Sequence, residues 1–454
     1  MSNLKFSESG VRGVVGETLT PQLVTALAVA FGKYVGGGTV VVGRDTRTSG
    51  PMFEQAVIAG LLAAGCRPVL LGIVPTPTVQ IMVGELRAHG GIAVTASHNP
   101  SQWNALKFIG ARGMFLDRNE AAELFDIYNQ GVPYCEEEAG LQVAESLPDA
   151  FAIHQAKVFA AVDVDLIRSC RFKVAIDCCD GVGAVCSVDF LKALNCEVTA
   201  LHTRTDGIFG RPPEPVDENL GDLCSAVREN RCAIGFAHDP DGDRMALVDN
   251  LGRPMGTNAT IMLPVAHVLS KHPGPVAVNL QTTKAVEDIA TAVGCRVFYS
   301  KVGEINVVEK MLAEKAEIGG EGSSAGLIWR RVHAGRDAYV AMALALEMLA
   351  SRRESAAEIF DSLPRYHNCT AKFEASPYAA REVILILARR YEALDPLTID
   401  GVRIDFPEGW VLVRQSNTER VLRMNAEAGT AAAAEALLRR LRAEIETILQ
   451  EFNG

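Results

Sequence analysis

Residues 39–71 read TVVVGRDTRTSGPMFEQAVIAGLLAAGCRPVLL and combine two apolar runs with one helical segment. The β-branched run at 39–42 predicts a strand, and the polar turn after it leads to a helix that begins near Ser49, a candidate cap, and continues to Ala64. The run at 65–71 predicts a second strand. A strand, a helix and a strand in this order predict a parallel crossover, and therefore an α/β fold.

The junction between this helix and its second strand has counterparts further along the chain. The dipeptides at 65–66 (Gly-Cys), 195–196 (Asn-Cys) and 294–295 (Gly-Cys) each follow an Ala/Leu-rich helical segment and precede a strand. Gly and Asn are favoured at the left-handed end of a helix, and a small buried cysteine suits the first position of a strand. The junctions lie 130 and 99 residues apart, about one domain each, which predicts three tandem α/β domains of related topology.

The last part of the chain has a different pattern, in which short strands are grouped with two helices. This grouping predicts a small α+β domain. Its predicted elements are strands at 370–374, 398–400, 402–405 and 410–414, a helix around 378–393, and a final helix over 431–452 that Thr430 caps. We therefore expect four domains, over residues 1–152, 153–251, 252–367 and 368–454.

The length, charge and cysteine content of the chain restrict its class. With 454 residues it is too long for one core, and a net charge of −11 argues against a protein that binds nucleic acid through a basic surface. The cysteine count of 11 is odd and no signal peptide is present, which predicts reduced, buried thiols in a cytoplasmic protein. No apolar run has the length of a membrane span, so no membrane partner is expected.

Residues 94–100, VTASHNP, place a hydroxyl group just after a predicted strand. The apolar run at 91–94 predicts a buried strand, and Asn99-Pro100 predicts a turn. In this position Ser97 is well placed to act as a nucleophile or to carry a phosphoryl group. When this segment is taken alone, a serine that is merely hydrogen-bonded within a turn is the simpler interpretation.

Three carboxylates alternate in the segment 238–244, HDPDGDR. Asp239, Asp241 and Asp243 repel one another unless a cation lies between them, and such hard oxygen ligands suit Mg²⁺. A calcium EF-hand loop is excluded because its sixth and twelfth positions, which require Gly and Glu, hold an arginine and an asparagine here. A solvated acidic turn is disfavoured by the apolar strands that are predicted on both sides.

Two later segments offer groups that suit a phosphorylated sugar. The glycine-rich segment 319–326 presents the Glu321 carboxylate and two hydroxyls, one of them on Ser323, which can bind sugar hydroxyls. The segment 414–420, RQSNTER, with Arg423 just beyond it, combines guanidinium, amide and hydroxyl donors that match phosphate oxygens. Each segment alone is weak evidence, so the order of the segments along the chain carries the interpretation.

That order, together with the opening segment 7–13, SESGVRG, resembles the α-D-phosphohexomutase superfamily over essentially the whole chain. The sequence is most similar to the archaeal-type branch of phosphoglucosamine mutases and phosphomannomutases. The resemblance implies three tandem related α/β domains with mixed sheets and a small C-terminal α+β domain, arranged around a central cleft. It also implies a monomeric or homodimeric enzyme that moves a phosphoryl group between O1 and O6 of a hexose phosphate, through a phosphoserine and a bisphosphate intermediate.

The resemblance implies catalytic roles for residues near the phosphoserine. Ser97 would carry the phosphate, and Lys107 and Arg12 would be the acid and base beside it. The pKa of Lys107 is expected to be lowered by neighbouring cations. His98 is a further catalytic candidate, with shaping of the loop as its alternative role.

The resemblance also implies a metal ion, an activator and a set of substrate contacts. Mg²⁺ would bind the phosphoserine oxygen of Ser97 and the carboxylates of Asp239, Asp241 and Asp243, and a hexose 1,6-bisphosphate would be the activator. The implied substrate-binding residues are Arg244, Lys301, Glu321, Ser323, His333, Arg336, Arg414, Ser416, Asn417, Thr418 and Arg423. A structural role is the alternative for His333.

The chain departs from the pattern of its relatives at identifiable positions. Glu304 stands where mannose- and glucose-handling bacterial members usually have histidine, and Arg420 stands where proline is customary. The resemblance to the archaeal-type branch implies glucosamine phosphate as the expected substrate, with mannose or glucose phosphate as the alternative. Two other classes of function stay open: a phosphatase that releases phosphate to water, and a sugar-phosphate-binding regulator without catalysis.

Overall fold

The computed structural model describes residues 4–7, 10–131, 140–416 and 421–452. In the first domain, one mixed sheet has the strand order β1-β2-β6-β5-β3-β4-β7, with β3 parallel to β4 and β5, and β6 antiparallel to β5. The strands are β1 (Lys5–Ser7), β2 (Gly10–Val14), β3 (Gly38–Arg44), β4 (Cys66–Ile73), β5 (Gly90–Val94), β6 (Trp103–Gly110) and β7 (Glu145–Ser146), and the helices are α1 (Pro21–Tyr34), α2 (Gly50–Ala63), α3 (Thr76–Glu85) and α4 (Arg118–Asn129). The predicted parallel crossover of residues 39–71 is confirmed.

The second and third domains each contain a four-stranded sheet. The second is built from α5 (Ala150–Ala161), α6 (Val164–Cys170), β8 (Lys173–Asp177), α7 (Gly183–Ala193), β9 (Glu197–Leu201), α8 (Gly221–Asn230), β10 (Ile234–His238) and β11 (Met245–Asp249). The third is built from α9 (Ala259–Lys271), β12 (Val276–Asn279), α10 (Ala285–Ala292), β13 (Val297–Ser300), α11 (Glu304–Ala313), β14 (Ile318–Glu321), β15 (Gly326–Trp329), α12 (Ala338–Arg352) and α13 (Ala356–Asp361).

The first three sheets share one topology, as the repeated junctions predicted. The sheet orders are β9-β8-β10-β11 and β13-β12-β14-β15, and the first sheet contains the run β4-β3-β5-β6. In each case three parallel strands are followed by a fourth, antiparallel strand. The carboxyl ends of the parallel strands lie at one edge of each sheet, which is where ligand sites form in such folds.

The fourth domain is a small α+β unit with an antiparallel sheet in the order β16-β19-β18-β17. Its elements are β16 (His367–Glu374), α14 (Pro377–Arg390), β17 (Val402–Phe406), β18 (Gly409–Gln415), β19 (Val421–Ala428) and α15 (Ala431–Phe452). The strand predicted at 398–400 is wrong: these residues form a turn into Gly401, whose φ of 81° does not fit an extended strand. The prediction also missed β19, although its polar residues Arg423, Asn425 and Glu427 alternate with apolar ones as in a strand with one buried face.

Two helix starts test the predicted caps. Thr430 Oγ1 accepts a hydrogen bond from the backbone N–H of Ala433 at 3.2 Å, so the predicted cap of α15 is confirmed. The Ser49 side chain makes no capping hydrogen bond to α2, because its own backbone is already helical, with φ of −80° and ψ of −11°. Its hydroxyl instead accepts from Asn104 Nδ2 at 2.8 Å, which ties the start of α2 to β6.

The second and third domains share one apolar core, and α12 lies at its centre. Every residue from Ala338 to Ala350 is buried, and this helix contacts α5 and α6 of the second domain as well as α9 of the third. A helix that is apolar on all sides has to be covered on all sides. The two domains are therefore held together by packing rather than by a linker alone.

The fourth domain contacts the third through a buried arginine between two aromatic rings. The guanidinium carbon of Arg403 lies 4.4 Å from the ring centroid of Tyr299 and 4.5 Å from that of Trp410. Arg403 also donates to the Leu280 carbonyl at 3.1 Å, and Leu280 packs with Trp410 and Leu412. This contact fixes the position of the fourth domain, and with it of Arg414 in the predicted phosphate-binding segment 414–420 (the phosphate loop), relative to the third domain.

Two further observations on the described residues concern the thiols and the helices. The ten cysteines in this part of the chain are free, and seven of them are buried. Cys135 lies outside the described residues. Among the described helices none combines the length and apolar character needed to span a bilayer.

Candidate active site

Ser97 lies in the loop that follows β5, where it touches the second domain. Its backbone is left-handed, with φ of 49°, a conformation that is unfavourable for a residue other than glycine. The Ser97 backbone N–H donates to Thr95 Oγ1 at 3.0 Å, and the Ser97 hydroxyl donates to Asp239 Oδ2 at 2.6 Å. The serine of the first domain and the first aspartate of the second are therefore in direct contact, although 142 residues separate them in sequence.

The aspartates of the predicted metal loop form one buried cluster in the turn between β10 and β11. One carboxylate oxygen from each lies within 4.8 Å of the others. Lys107 Nζ, on β6, lies 2.6 Å from Asp241 Oδ2 and 3.1 Å from Asp243 Oδ2. Arg336 Nη2 donates to Asp243 Oδ2 at 2.8 Å. Side chains from three domains thus meet in one charged cluster.

Burial and neighbouring charges shift the ionisation of this cluster. Burial, together with the nearby Asp241 and Asp243 carboxylates, raises the pKa of Asp239 well above its usual value. Burial would also raise the pKa of Asp243, but Arg336 and Lys107 outweigh it and hold that pKa below its usual value. The lowered pKa expected for Lys107 is wrong: burial acts in that direction, but Asp241 and Asp243 outweigh it and raise the pKa of Lys107.

The cluster fits a divalent cation with oxygen ligands. Asp241 Oδ1 and Asp243 Oδ1 are buried and have no hydrogen-bond partner among the described residues, which is costly for a carboxylate oxygen unless a cation satisfies it. Thr76 and Lys107 already bind the other oxygen of Asp241, so the first one points to a different partner. An all-carboxylate donor set suits Mg²⁺ better than a transition metal.

Arg12 and His98, the two other catalytic candidates, are both half-buried. Arg12, on β2, donates from Nη1 to Asn99 Oδ1 at 2.5 Å and lines the cavity described below. Burial, and then the charge of Arg244, lowers the pKa of Arg12 to about 10. Arg244, burial and Arg12 lower the pKa of His98 to about 2, so this imidazole is neutral at physiological pH.

A cavity of about 230 Å³ opens beside Ser97 between the first three domains. Seven of the predicted site residues line it: Arg12, Ser97, Lys107, Arg244, Glu321, Ser323 and Arg336. The other lining residues are Phe115, Asn279, Gln281, Val302, Gly303, Glu304, Ile305 and Ser324. The cavity is about the size of a sugar ring. Ser97, which is the candidate phosphoryl carrier, the cationic side chains and the Glu321 carboxylate all line it.

The guanidinium of Arg336 binds three carboxylates at the cavity wall. Arg336 donates to Glu304 Oε2 at 3.0 Å, to Glu321 Oε2 at 3.1 Å and to Asp243 Oδ2 at 2.8 Å. Glu321 Oε1 also accepts from the Asn279 side chain and from the Gly303 backbone. Burial raises the pKa of Glu304, because its negative charge is only partly balanced here.

The structure places Lys301 and His333 away from the cavity lining. Lys301 is exposed at the end of β13, next to the cavity residue Val302. His333 Nε2 lies 3.1 Å from Asp337 Oδ2, an oxygen that the buried His154 also contacts at 2.7 Å. Asp337 caps α12, so these contacts favour the structural alternative for His333, while substrate binding by either residue stays a prediction.

The predicted phosphate loop is described in part. Arg414, the second-last residue of β18, pairs with Arg423 of β19, so both side chains belong to one face of the sheet. Asp400 Oδ2 lies 3.3 Å from Arg414 Nε and accepts from the Val302 backbone N–H at 3.1 Å, which links this loop to the cavity. Ser416 is buried beside them. Asn417, Thr418 and Arg420 lie outside the described residues.

Several lining residues were not predicted as site residues. Asn279 is the last residue of β12, and Gln281 lies two positions after it. Because β12 is parallel to β14, which ends at Glu321, these residues lie at the same edge of the sheet as Glu321. That topological argument could have found them. Glu304 was noted only as a departure from the relatives, and Phe115 has no signal because an isolated aromatic residue is most often part of a core.

Comparisons with known proteins agree with this architecture. Four family models match in order: phosphoglucomutase/phosphomannomutase alpha/beta/alpha domain I at residues 3–134, domain II at 152–252, domain III at 257–366, and the C-terminal domain at 369–444. A protein of Methanopyrus kandleri named "Probable phosphoglucosamine mutase" is 34% identical over 449 residues, which cover 98% of this chain and 97% of that protein.

Two further relatives extend the comparison. The phosphoglucosamine/phosphogalactosamine mutase of Sulfurisphaera tokodaii is 31% identical over 450 residues, covering 97% of this chain and 99% of that protein. The crystal structure of a phosphoglucomutase/phosphomannomutase family protein from Burkholderia thailandensis superposes with a TM-score of 0.85 at 27% identity, over 98% of both chains. With four family models in order over most of its length, this chain belongs to the phosphoglucomutase/phosphomannomutase family.

Proposed function

We propose that this chain is a phosphohexomutase that interconverts hexose 1-phosphate and 6-phosphate, with glucosamine phosphate as its main substrate. The observation that carries the proposal is the contact of the Ser97 hydroxyl with Asp239 of a buried carboxylate cluster, at the wall of a sugar-sized cavity. A phosphoryl carrier, a cation site and a polar sugar pocket are the three parts that this reaction needs.

In the proposed reaction a phosphate on Ser97 is transferred to a free hydroxyl of the bound monophosphate. The bond between phosphorus and Ser97 Oγ breaks, a bond to the sugar oxygen forms, and the proton of the sugar hydroxyl ends on Ser97 Oγ. Lys107 and Arg12 line the cavity beside Ser97 and are the proposed acid and base. His98, next to Ser97 in sequence, is the further catalytic candidate, but a pKa of about 2 makes its imidazole a weak base and favours shaping of the loop as its role.

The Asp239, Asp241 and Asp243 carboxylates are the proposed ligands of one Mg²⁺, together with an oxygen of phosphoserine 97. When bound, the ion neutralises negative charge on the transferred phosphoryl group. Lys107 and Arg336 bind two of these carboxylates, Asp241 and Asp243, and so hold them in place. The ligand oxygens are therefore pre-oriented before any phosphate enters.

A bisphosphate intermediate has to turn over in the cavity so that either end can reach Ser97. The proposed anchor for the other phosphate is the loop with Arg414, Ser416, Asn417, Thr418 and Arg423, and closure of the fourth domain would retain the intermediate. Free hexose 1,6-bisphosphate is accordingly the proposed activator, because it regenerates the phosphoserine after an early escape.

The choice of glucosamine rests on the relatives and on the charge of the sugar pocket. Phosphoglucosamine mutases are among the most similar relatives. In the pocket, Arg336 is the one cation among the described residues that pairs with Glu304 and Glu321, and it also pairs with Asp243, so a substrate cation is favoured directly beside these two glutamates. The 2-ammonium group of glucosamine supplies that charge, whereas mannose and glucose phosphates do not.

Purified protein incubated with hexose 1-phosphate tests the proposed function. We expect the 6-phosphate isomer, measured by ³¹P NMR, with glucosamine phosphate turned over faster than mannose, glucose or N-acetylglucosamine phosphate. Release of inorganic phosphate without isomer would indicate a phosphatase. Tight binding of the sugar phosphate without either product would indicate a regulator.

Substitution of Glu304 tests whether this carboxylate recognises the 2-ammonium group of glucosamine phosphate. Glu304→Gln keeps the shape of the side chain but removes its charge, so kcat/KM for glucosamine phosphate should fall about fivefold relative to that for glucose phosphate. The ratio of the two specificity constants is the measurement, and the glucose reaction serves as the internal control. An unchanged ratio would show that Glu304 only balances Arg336.

Substitution of Arg414 tests the phosphate loop. Arg414→Ala should raise KM about tenfold and make turnover more dependent on added bisphosphate, because a charge-assisted contact to the non-reacting phosphate is lost. Arg420→Ala, in the same segment, should change both quantities less, since relatives customarily have proline at this position, which has no N–H to donate to a phosphate. If Arg414→Ala alters neither KM nor the bisphosphate requirement, the phosphate binds elsewhere.

A further inference from the structure

Arg47, in the polar turn after β3, is one of the largest fully buried side chains of the protein. Its Nη1 donates to the carbonyls of Pro100 at 2.7 Å and Trp103 at 2.9 Å. Its Nη2 donates to the carbonyls of Ser97 at 2.6 Å and Asn99 at 2.7 Å. With the bond from Nε to Asp45, every N–H of the guanidinium is used, and four of the five bonds hold the backbone of the loop that carries Ser97.

Asp45 and Thr95 complete a closed set of hydrogen bonds around Ser97. Asp45 Oδ2 accepts from Arg47 Nε at 2.9 Å and from the Thr95 hydroxyl at 2.7 Å. The Thr95 hydroxyl in turn accepts from the Ser97 backbone N–H at 3.0 Å. Both polar groups of the Ser97 backbone are thus bound: the N–H through Thr95, and the carbonyl directly by Arg47.

This set of bonds opposes the natural preference of the Ser97 backbone. With φ of 49°, Ser97 occupies a region that L-residues other than glycine rarely adopt, so the surrounding structure has to hold it there. The left-handed backbone directs the Ser97 hydroxyl to Asp239 Oδ2, 2.6 Å away. If the loop relaxed to an ordinary conformation, the hydroxyl would move away from the carboxylate cluster.

The second domain covers this arginine. The ring centroid of Phe209 lies 4.9 Å from the guanidinium carbon of Arg47, and Thr46 donates to the Asp180 carbonyl at 2.7 Å. Gly207 approaches so closely that an added Cβ would lie 2.4 Å from the Thr48 backbone nitrogen. The polar turn therefore fixes the phosphoserine loop and the second domain at the same point.

We propose that Arg47 is the positioning residue that holds Ser97 in its reactive, left-handed conformation against Asp239. The proposal rests on the proposed function of Ser97 as phosphoryl carrier. Because the Arg47 side chain is fully buried, it touches neither the sugar nor its phosphate. Its loss should therefore lower the rate of phosphoryl transfer to and from Ser97 without weakening substrate binding.

Arg47→Lys tests the proposal, because an ammonium group cannot reach the four carbonyls that the guanidinium fork binds. We expect kcat to fall at least about tenfold, with KM for the hexose phosphate changed less than threefold. The rate at which glucose 1,6-bisphosphate phosphorylates dephosphorylated Ser97, followed by intact mass, should fall in parallel with kcat. A folded variant with a melting temperature near that of the wild type and kcat within twofold of it would overturn the proposal.

Thr95 supplies a second test that leaves the Arg47 side chain in place. Thr95→Val removes the hydroxyl that binds the Ser97 N–H and should lower kcat about fivefold at unchanged KM, whereas Thr95→Ser keeps the hydroxyl and should restore the wild-type rate. If Arg47→Lys does not fold, the comparison of Thr95→Val with Thr95→Ser tests the proposal instead. A wild-type kcat in Thr95→Val would overturn it. Failure of the proposed function itself is recognised separately, because Ser97→Ala would then retain mutase activity.

Discussion

Ser97→Ala is expected to abolish mutase activity, lowering kcat by at least about 10³-fold, as removal of a covalent nucleophile does in other enzymes. The reason is that no other hydroxyl in the loop contacts both the Asp239 carboxylate and the sugar cavity. The wild-type protein should carry phosphate on Ser97 as purified, at partial occupancy. Intact mass and peptide mapping measure that phosphate, and both the mass increment and the activity should be lost in the variant.

Ser101→Ala is the matched control for this experiment. Ser101 lies four positions further along the same loop and is exposed, so its loss should leave the phosphate and the activity unchanged. If wild-type Ser97 is unmodified and hexose bisphosphate cannot phosphorylate it, the phosphoserine mechanism is wrong. The family membership would then stand, but with a different chemistry at this site.

Asp241→Asn is expected to lower activity at least tenfold and to weaken Mg²⁺ binding, because one negative charge is removed from the ligand set. Asp241 Oδ1 is one of the two buried oxygens in this cluster that lack a hydrogen-bond partner, which makes it a direct candidate ligand. The loss also removes the charge that Lys107 binds at 2.6 Å, so the ammonium becomes less well held. Activity as a function of Mg²⁺ concentration and isothermal titration of the metal measure the two effects.

Asp222→Asn makes the same chemical change in the same domain at a side chain that is 77% exposed. It should leave both the Mg²⁺ requirement and the rate unchanged, since a solvated surface carboxylate contributes little. Full activity of the wild type in excess chelator would contradict a catalytic metal at the Asp239–Asp243 turn.

Sequence patterns that act over short distances determined much of this protein. The β-branched run at 39–42, the helix after it and the run at 65–71 predict one crossover, because apolar periodicity and Gly or Pro positions depend only on near neighbours. The repeated junctions then predict three related domains, and all three sheets have the predicted relationship. The order of the four polar loops indicated the family before any contact was known.

The local patterns were insufficient where backbone geometry or burial decided the outcome. Residues 398–400 have a β-branched composition but lead into Gly401, whose left-handed backbone ends any extended strand. Ser49 has the chemistry of a cap, yet its hydroxyl binds Asn104, which is 55 residues away. Such choices depend on partners that the fold supplies, and the sequence alone does not identify them.

Only the tertiary structure decided which charged and polar groups lie next to one another. The chain places Lys107 more than 130 residues from Asp241 and Asp243, so the sequence alone suggested a lysine among cations, whereas the fold surrounds it with carboxylates and raises its pKa. The turn at 43–48 was likewise only a polar segment until the fold brought Arg47 to the carbonyls of the Ser97 loop. Coulomb and hydrogen-bond energies depend on distances of a few ångströms, and those distances between remote segments exist only once the domains have packed.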